Sequence, residues 1–218
     1  MNLLDVPPPA GPVMLSLCDR TTVMCQPWAQ AGYTCLAVDV QHAPGVTIDG
    51  NIWRVGADLR TWLPPIADYV FVAAFPPCTN LAVSGARWFR DKGLRGLIDG
   101  LELVERARDI CEWSQAPWML ENPASTLSTY WREPDHLFHP WEYGGWGDGD
   151  DGYTKTTCLW TGGGFRMPQR RPVPITDPNR IHHAAPGPER GDVRSVTPTG
   201  FARAVFEQHH TNPHKVAG

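Results

Sequence analysis

Cys78 stands in Phe75-Pro76-Pro77-Cys78-Thr79-Asn80, directly after Asp68–Ala74. That preceding run is aromatic and β-branched, with the length and composition of a buried strand. Prolines stop a strand because they donate nothing to the ladder and fix their own φ. The thiol is therefore held at the strand's carboxyl end, where ligands bind in open α/β sheets. A cysteine so placed is a candidate nucleophile, although a lone one is more often a compact apolar filler. What shifts the balance is Glu121-Asn122, 43 residues on. It follows the short apolar run Pro117–Leu120, so a second strand delivers a carboxyl and an amide to the same edge.

The elements that must position these groups follow from pattern. Val13–Leu17 reads as a strand, about Val23 to Ala31 as a helix ending at Gly32, and Thr34–Asp39 as a second strand. This is the opening βαβ of a nucleotide-type fold, in which an acid at the second strand end, Asp39, accepts from a ribose diol. A third strand spans Asn51–Val55. Asp58 beyond it either accepts from an adenine amino group or caps a short helix over Leu59–Trp62. Leu94–Ser114 is the strongest helix, with Leu94, Leu97, Ile98, Leu101, Val104, Ala107, Ile110 and Cys111 on one stripe. Residues 124–152 are aromatic and irregular, Tyr153–Trp160 is β-rich, and Thr197–His210 is helical. The order of elements predicts a doubly wound, mostly parallel α/β domain over residues 13–210. A stiff lead-in of residues 1–12 precedes it and a fraying tail of 211–218 follows.

Composition narrows the classes. The 218 residues suffice for one full core. No apolar run approaches the ~20 residues of a membrane span and no signal peptide is visible, so cytoplasm is the expected location. The six cysteines form no CxxC pair, which argues against a zinc ribbon or disulfide framework. His136 and His139 lack a second ligand pair at metal-like spacing, so no metal is expected. The net charge is −4, yet Arg166, Arg170, Arg171, Arg180, Arg190 and Arg194 crowd one Pro-rich segment, a candidate phosphate-contacting loop.

Taken together, the motifs resemble those of the DNA cytosine-5 methyltransferases, and most closely those of small phage-encoded members. Pro76, Pro77, Cys78 and Gly85 match the nucleophile motif, with Ala82 where serine is usual. Glu121-Asn122-Pro123 matches Glu-Asn-Val, and Tyr153–Thr157 is similar to the Gln-x-Arg-x-Arg strand, retaining the single cation Lys155. The resemblance implies a Rossmann-like class I methyltransferase fold and S-adenosylmethionine as cofactor. It places that cofactor against Ser16, Cys18, Asp19, Thr22, Asp39, Val40, Asp58, Leu59, Phe75 and Pro77. Cys78, Glu121, Asn122 and Lys155 are then the catalytic set. A cytosine in DNA is the partner, held by Arg87, Arg166, Arg170, Arg171 and Trp131.

The resemblance also implies the chemistry. A thiolate adding at C6 of cytosine makes C5 nucleophilic, while a carboxyl group holds the N3 and amino edge. In a duplex the base must first leave the stack. Two departures stand out. Ser16–Thr22 has no glycine where the family's first motif is glycine-rich, and only about 30 residues are left for a target-recognition region, as residues 166–194. The second implies weak sequence readout. Both leave open the same chemistry on a nucleotide or with another electrophile, and a non-catalytic DNA-binding protein of the same fold.

Overall fold

A computed structural model of the chain describes residue 9, residues 11–183 and residues 195–210. The tail of 211–218, most of the lead-in, and Arg190 and Arg194 lie outside the described residues. Seven strands form one mixed sheet: β1 (Pro12–Leu17), β2 (Thr34–Asp49), β3 (Ile52–Gly56), β4 (Asp68–Ala74), β5 (Trp118–Asn122), β6 (His136–Phe138) and β7 (Thr157–Gly162). Their order is β3-β2-β1-β4-β5-β7-β6. Pairs β1–β2, β1–β4 and β4–β5 are parallel, and β7 runs antiparallel to both β5 and β6. The helices are α1 (Gln26–Gln30), α2 (Phe89–Trp113), α3 (Leu127–Tyr130), α4 (Arg180–His183) and α5 (Thr199–His209).

The central strands are apolar on both faces because both faces are covered. Val13, Leu15, Leu17, Val72 and Ala74 meet Val104, Ala107, Ile110 and Cys111 of α2. Met14, Phe71 and Ala73 point the other way, onto Trp28 of α1 and Phe201, Val205 and Phe206 of α5. There Trp28 stacks on Phe71 with ring centroids 5.5 Å apart and meets Phe206 edge-on at 5.2 Å. Fully burying side chains of this size stabilises by about 1.5–3 kcal/mol each.

Four details depart from the pattern reading. Of the α2 stripe, Leu97, Leu101, Val104, Ala107, Ile110 and Cys111 pack on the core, and Leu94 and Ile98 do not. Leu94 and Ile98 stand 79% and 53% exposed, because the helix starts early, at Phe89, and breaks at Gly93 (φ 61°, ψ −166°). Second, α1 spans only Gln26–Gln30, since Thr22–Cys25 form a turn closed by Cys25 N–H to the Thr22 carbonyl. Third, β7 begins at Thr157 rather than Tyr153, and β6 and α3 are additional elements.

The fourth is β2, which runs past Asp39 and doubles back. Cys35–Asp39 align forward with Ile52–Gly56, while Val46–Asp49 align backward with Val55–Ile52. β3 is thus flanked by both limbs of β2. Gly50, at φ +56°, supplies the left-handed residue that this tight turn requires. Among the described residues, no helix is long and apolar enough to cross a membrane.

Candidate active site

The carboxyl ends of β4 and β5 are tied together. After Ala74, Phe75 N–H donates to the Leu17 carbonyl at 2.9 Å, extending β4 one step beside β1. The chain then turns at Pro76-Pro77. The buried Asn122 Nδ2 donates to the Pro76 carbonyl at 2.9 Å, joining the proline turn to the end of β5. The Cys78 carbonyl accepts from Leu81 N–H at 2.9 Å and Ala82 N–H at 2.8 Å, so Cys78 opens a closed turn. That turn lies on α2: a Cβ at Gly100 would fall 3.0 Å from Leu81 Cγ and 3.2 Å from Asn80 Cβ. Lys92 Nζ donates to the Thr79 carbonyl from the first turn of α2. None of the six cysteines forms a disulfide; Cys78 and Cys18 are partly exposed and the other four are buried.

Glu121 faces the same edge. Its Oε1 lies 3.7 Å from Lys155 Nζ, and the two side chains are only 16% and 14% exposed. Oε1 has no hydrogen-bond partner, and neither has the buried Oδ1 of Asn122. An unmet buried acceptor costs about 1–3 kcal/mol, and such exceptions mark functional positions. Phe75, Glu121, Lys155, Thr157, Thr197, Pro198 and Phe201 enclose a cleft of about 10 Å³, room for roughly one water. Thr197, Pro198 and Phe201 belong to the start of α5, the helix that opens at Thr197 in the sequence and that the family resemblance takes as its last motif, folding back on the cofactor. They are brought there by Asp151, whose Oδ2 accepts from Gly200 N–H at 2.7 Å and Thr199 Oγ1 at 3.3 Å. A carboxylate capping a helix from a distant loop has no local sequence signature.

The β1–β2 edge is organised differently. Asp19 is buried and its carboxylate accepts from Ser16 Oγ at 2.7 Å, Thr21 Oγ1 at 3.1 Å and Thr22 N–H at 2.7 Å. His42, also not anticipated, sets Nε2 3.1 Å from the Asp19 carbonyl. This network shapes the loop that glycines shape elsewhere: Cys18 and Thr22 adopt φ of 54° and 60°, values that favour glycine. Burial raises the Asp19 carboxyl above its ordinary value, against the pull of its hydrogen bonds. Burial, then the charges of Asp39, Asp58 and Asp19, pushes the Cys18 thiol up to about 12.

Asp39 accepts from Gln41 N–H at 2.8 Å at the end of the first limb of β2, and the next residue, Val40, is 71% exposed. Asp58 caps, as the second of its two expected roles has it, a turn in place of the short helix. Its Oδ1 accepts from Arg60 N–H, its Oδ2 from Arg60 Nη1 at 3.1 Å, and its carbonyl from Thr61 and Trp62 N–H. Leu59 beside it is buried in the core.

The residues expected to hold nucleic acid separate into two groups. Residues 165–180 form a strap laced onto 141–154, with bonds from Arg171 N–H to the Glu142 carbonyl, Val173 N–H to Trp141 and Thr176 N–H to Gly152. In it Arg170 pairs with Glu142 at 3.4 Å, Arg171 lies 3.4 Å over the Trp146 ring, and the Arg166 carbonyl sits 3.0 Å from His209 Nε2. Trp131 stacks on Trp160 at 6.1 Å with Arg132 over it at 4.9 Å. Arg87 is different: it is exposed, beside Trp88, in the turn that follows Cys78.

The chain is thus an α/β protein whose mixed sheet gathers a thiol, a carboxyl, an amide and an ammonium group at one edge. No protein-family model matches the chain, and no curated protein sequence matches it.

Proposed function

We propose that this protein transfers a methyl group from S-adenosylmethionine to C5 of cytosine in DNA, through a covalent adduct between Cys78 and C6. The observation that carries this reading is the Asn122–Pro76 hydrogen bond, which fixes the Pro-Pro-Cys turn against the strand bearing Glu121. The strand order, with antiparallel β7 inserted between β5 and β6, supports a class I methyltransferase form of the α/β fold.

The residues fit the cofactor in charge. Asp39, Asp58 and Asp19 all act on Cys18, opposed there by Arg60, and carboxylates favour a cationic sulfonium. Asp39 would accept from the ribose and Phe75 would wall the pocket; the cofactor supplies an electrophilic methyl group. The Cys78 thiolate bonds to C6, and the C5–C6 electron pair moves to C5. C5, so activated, would be the carbon that accepts the methyl group the bound cofactor supplies, the sulfur keeping the bonding pair. Glu121 holds the N3 and amino edge while charge builds, its Oε1 being free of hydrogen bonds and 3.7 Å from Lys155 Nζ. Lys155 keeps Glu121 oriented. The C5 proton then leaves to solvent, the C5–C6 double bond re-forms and Cys78 departs.

Radiolabelled methyl transfer to cytosine-containing DNA tests this. Wild-type protein should label cytosine at C5, and Cys78→Ala should fall to background. An oligonucleotide carrying 5-fluorocytosine should trap a denaturation-resistant adduct, since fluorine cannot leave as a proton does. Transfer unchanged by Cys78→Ala would overturn the mechanism.

A further inference from the structure

A ridge separates the nucleophile turn from the covered part of α2. It comprises the 3-10 turn Val83–Trp88 and the first turns of α2, set off by the break at Gly93. Val83, Trp88, Leu94 and Ile98 are 57%, 52%, 79% and 53% exposed, a run of large apolar side chains that a monomer surface rarely leaves bare. Arg87, Arg90 and Arg95 are exposed among them; Asp91 is the acid within the run, and Asp99 just beyond it holds Arg95 at 3.0 Å. The chain as a whole carries −4, so the ridge is a cationic island. The Arg87 guanidinium lies 5.0 Å above the Trp88 ring. Lys92, in the same ridge, grips the carbonyl of Thr79, the residue next to Cys78.

We infer that this ridge binds a single strand of DNA, with phosphates along Arg87 and Arg90 and a base stacked on Trp88. A neighbouring base is thereby presented to Cys78. Exposed aromatic rings flanked by a line of cations are how single strands are held without sequence readout. Two features favour one strand over a duplex. The cations lie along one short ridge, and on the 165–180 strap the Arg170 guanidinium pairs with Glu142 and that of Arg171 covers the Trp146 ring. A single strand also presents its bases without extrusion from a stack. The inference rests on reading Cys78 as acting on a nucleic-acid base.

Fluorescence anisotropy without cofactor tests it, using a labelled cytosine-rich oligonucleotide of about 16 nucleotides, single-stranded or annealed to its complement. The single strand should bind at least about tenfold more tightly than the duplex, and Trp88→Ala should weaken it about tenfold. Arg87→Gln combined with Arg90→Gln should flatten the salt dependence, while Arg166→Gln combined with Arg171→Gln should leave binding unchanged. Equal or tighter binding of the duplex, or single-strand binding indifferent to Trp88→Ala, overturns the inference. Failure here is separable from failure of the catalytic reading. Methyl transfer that needs Cys78, with binding indifferent to Trp88, removes the ridge alone. Strand binding that needs Trp88, with transfer indifferent to Cys78→Ala, supports the ridge and removes the catalytic reading.

Discussion

Two stretches lie at the same carboxyl edge of the sheet and use their polar groups in opposite ways. At the end of β1, Asp19 gives its carboxylate to Ser16, Thr21 and Thr22 of its own loop. At the ends of β4 and β5, Glu121 Oε1 and Asn122 Oδ1 are buried with no hydrogen bond. One loop is complete in itself. The other leaves two acceptors without hydrogen bonds, with Lys155 Nζ 3.7 Å from Glu121 Oε1. The two cysteines divide likewise: Cys18 sits among carboxylates, whereas Cys78 opens a turn fastened to α2.

The sharpest way to break this contrast is thiol alkylation of the native protein. With its thiol at about 12, roughly one Cys18 in 10⁴ is thiolate at pH 8. Iodoacetamide followed by peptide mass analysis should modify Cys78 long before Cys18; equal rates would erase the distinction. Next in size is stability. Asp19→Ala strands the Ser16 hydroxyl and Thr22 N–H and should cost about 2–4 kcal/mol in urea denaturation. Asn122→Ala removes one bond but also one unmet acceptor, and should cost about 1 kcal/mol while reducing transfer far more. If Asn122→Ala costs more stability than Asp19→Ala, the roles of the two loops are reversed.

A smaller effect sharpens the β4–β5 half. Gly100→Ala places a methyl 3.0 Å from Leu81 Cγ, a clash set against a helix-propensity gain of about 1 kcal/mol. Unfolding free energy should therefore shift by no more than about 1 kcal/mol, while transfer drops several-fold because the Cys78 turn is displaced. Unchanged kcat/KM would show that the turn does not depend on this contact.

The smallest effect concerns the far end of α5, whose start closes the cleft. His209 stacks on Phe165 with centroids 4.9 Å apart, and burial holds its imidazole below the ordinary 6.5. A lowered folded value means that the fold prefers neutral histidine. Its contribution is complete above pH 6.5 and is lost as pH falls through the folded value. His209→Gln should flatten this part of the melting-temperature profile, and a profile identical to wild type would remove His209 from it.

Much of this was legible in residue order. The apolar runs at Val13, Thr34, Asp68 and Trp118 are strands, and Cys78 and Glu121-Asn122 do reach one edge, because strand ends are readable from prolines and polar breaks. β6 was not legible, since three residues, His136–Phe138, are too few to show alternation. Nor was the Asp19 network: a left-handed loop without glycine is visible only once its hydrogen bonds are known. Composition records the charge of the arginines of 166–180 but not their partners within the fold, Glu142 for Arg170 and Trp146 for Arg171. Glu142 and Trp146 lie more than 20 residues upstream.

The doubling back of β2 bears on how copies of this chain meet one another. Sheets invite lateral growth at a long, open border. Here the border beyond β3 is the return limb Val46–Asp49, four residues that already pair inward with Val55–Ile52. Thr47 and Asp49 are exposed on it, and Asp49 holds Arg54 at 3.2 Å. An incoming strand would find a hem of only four residues, with Ile48 exposed between Thr47 and Asp49, so growth on this side is limited by the shortness of the limb.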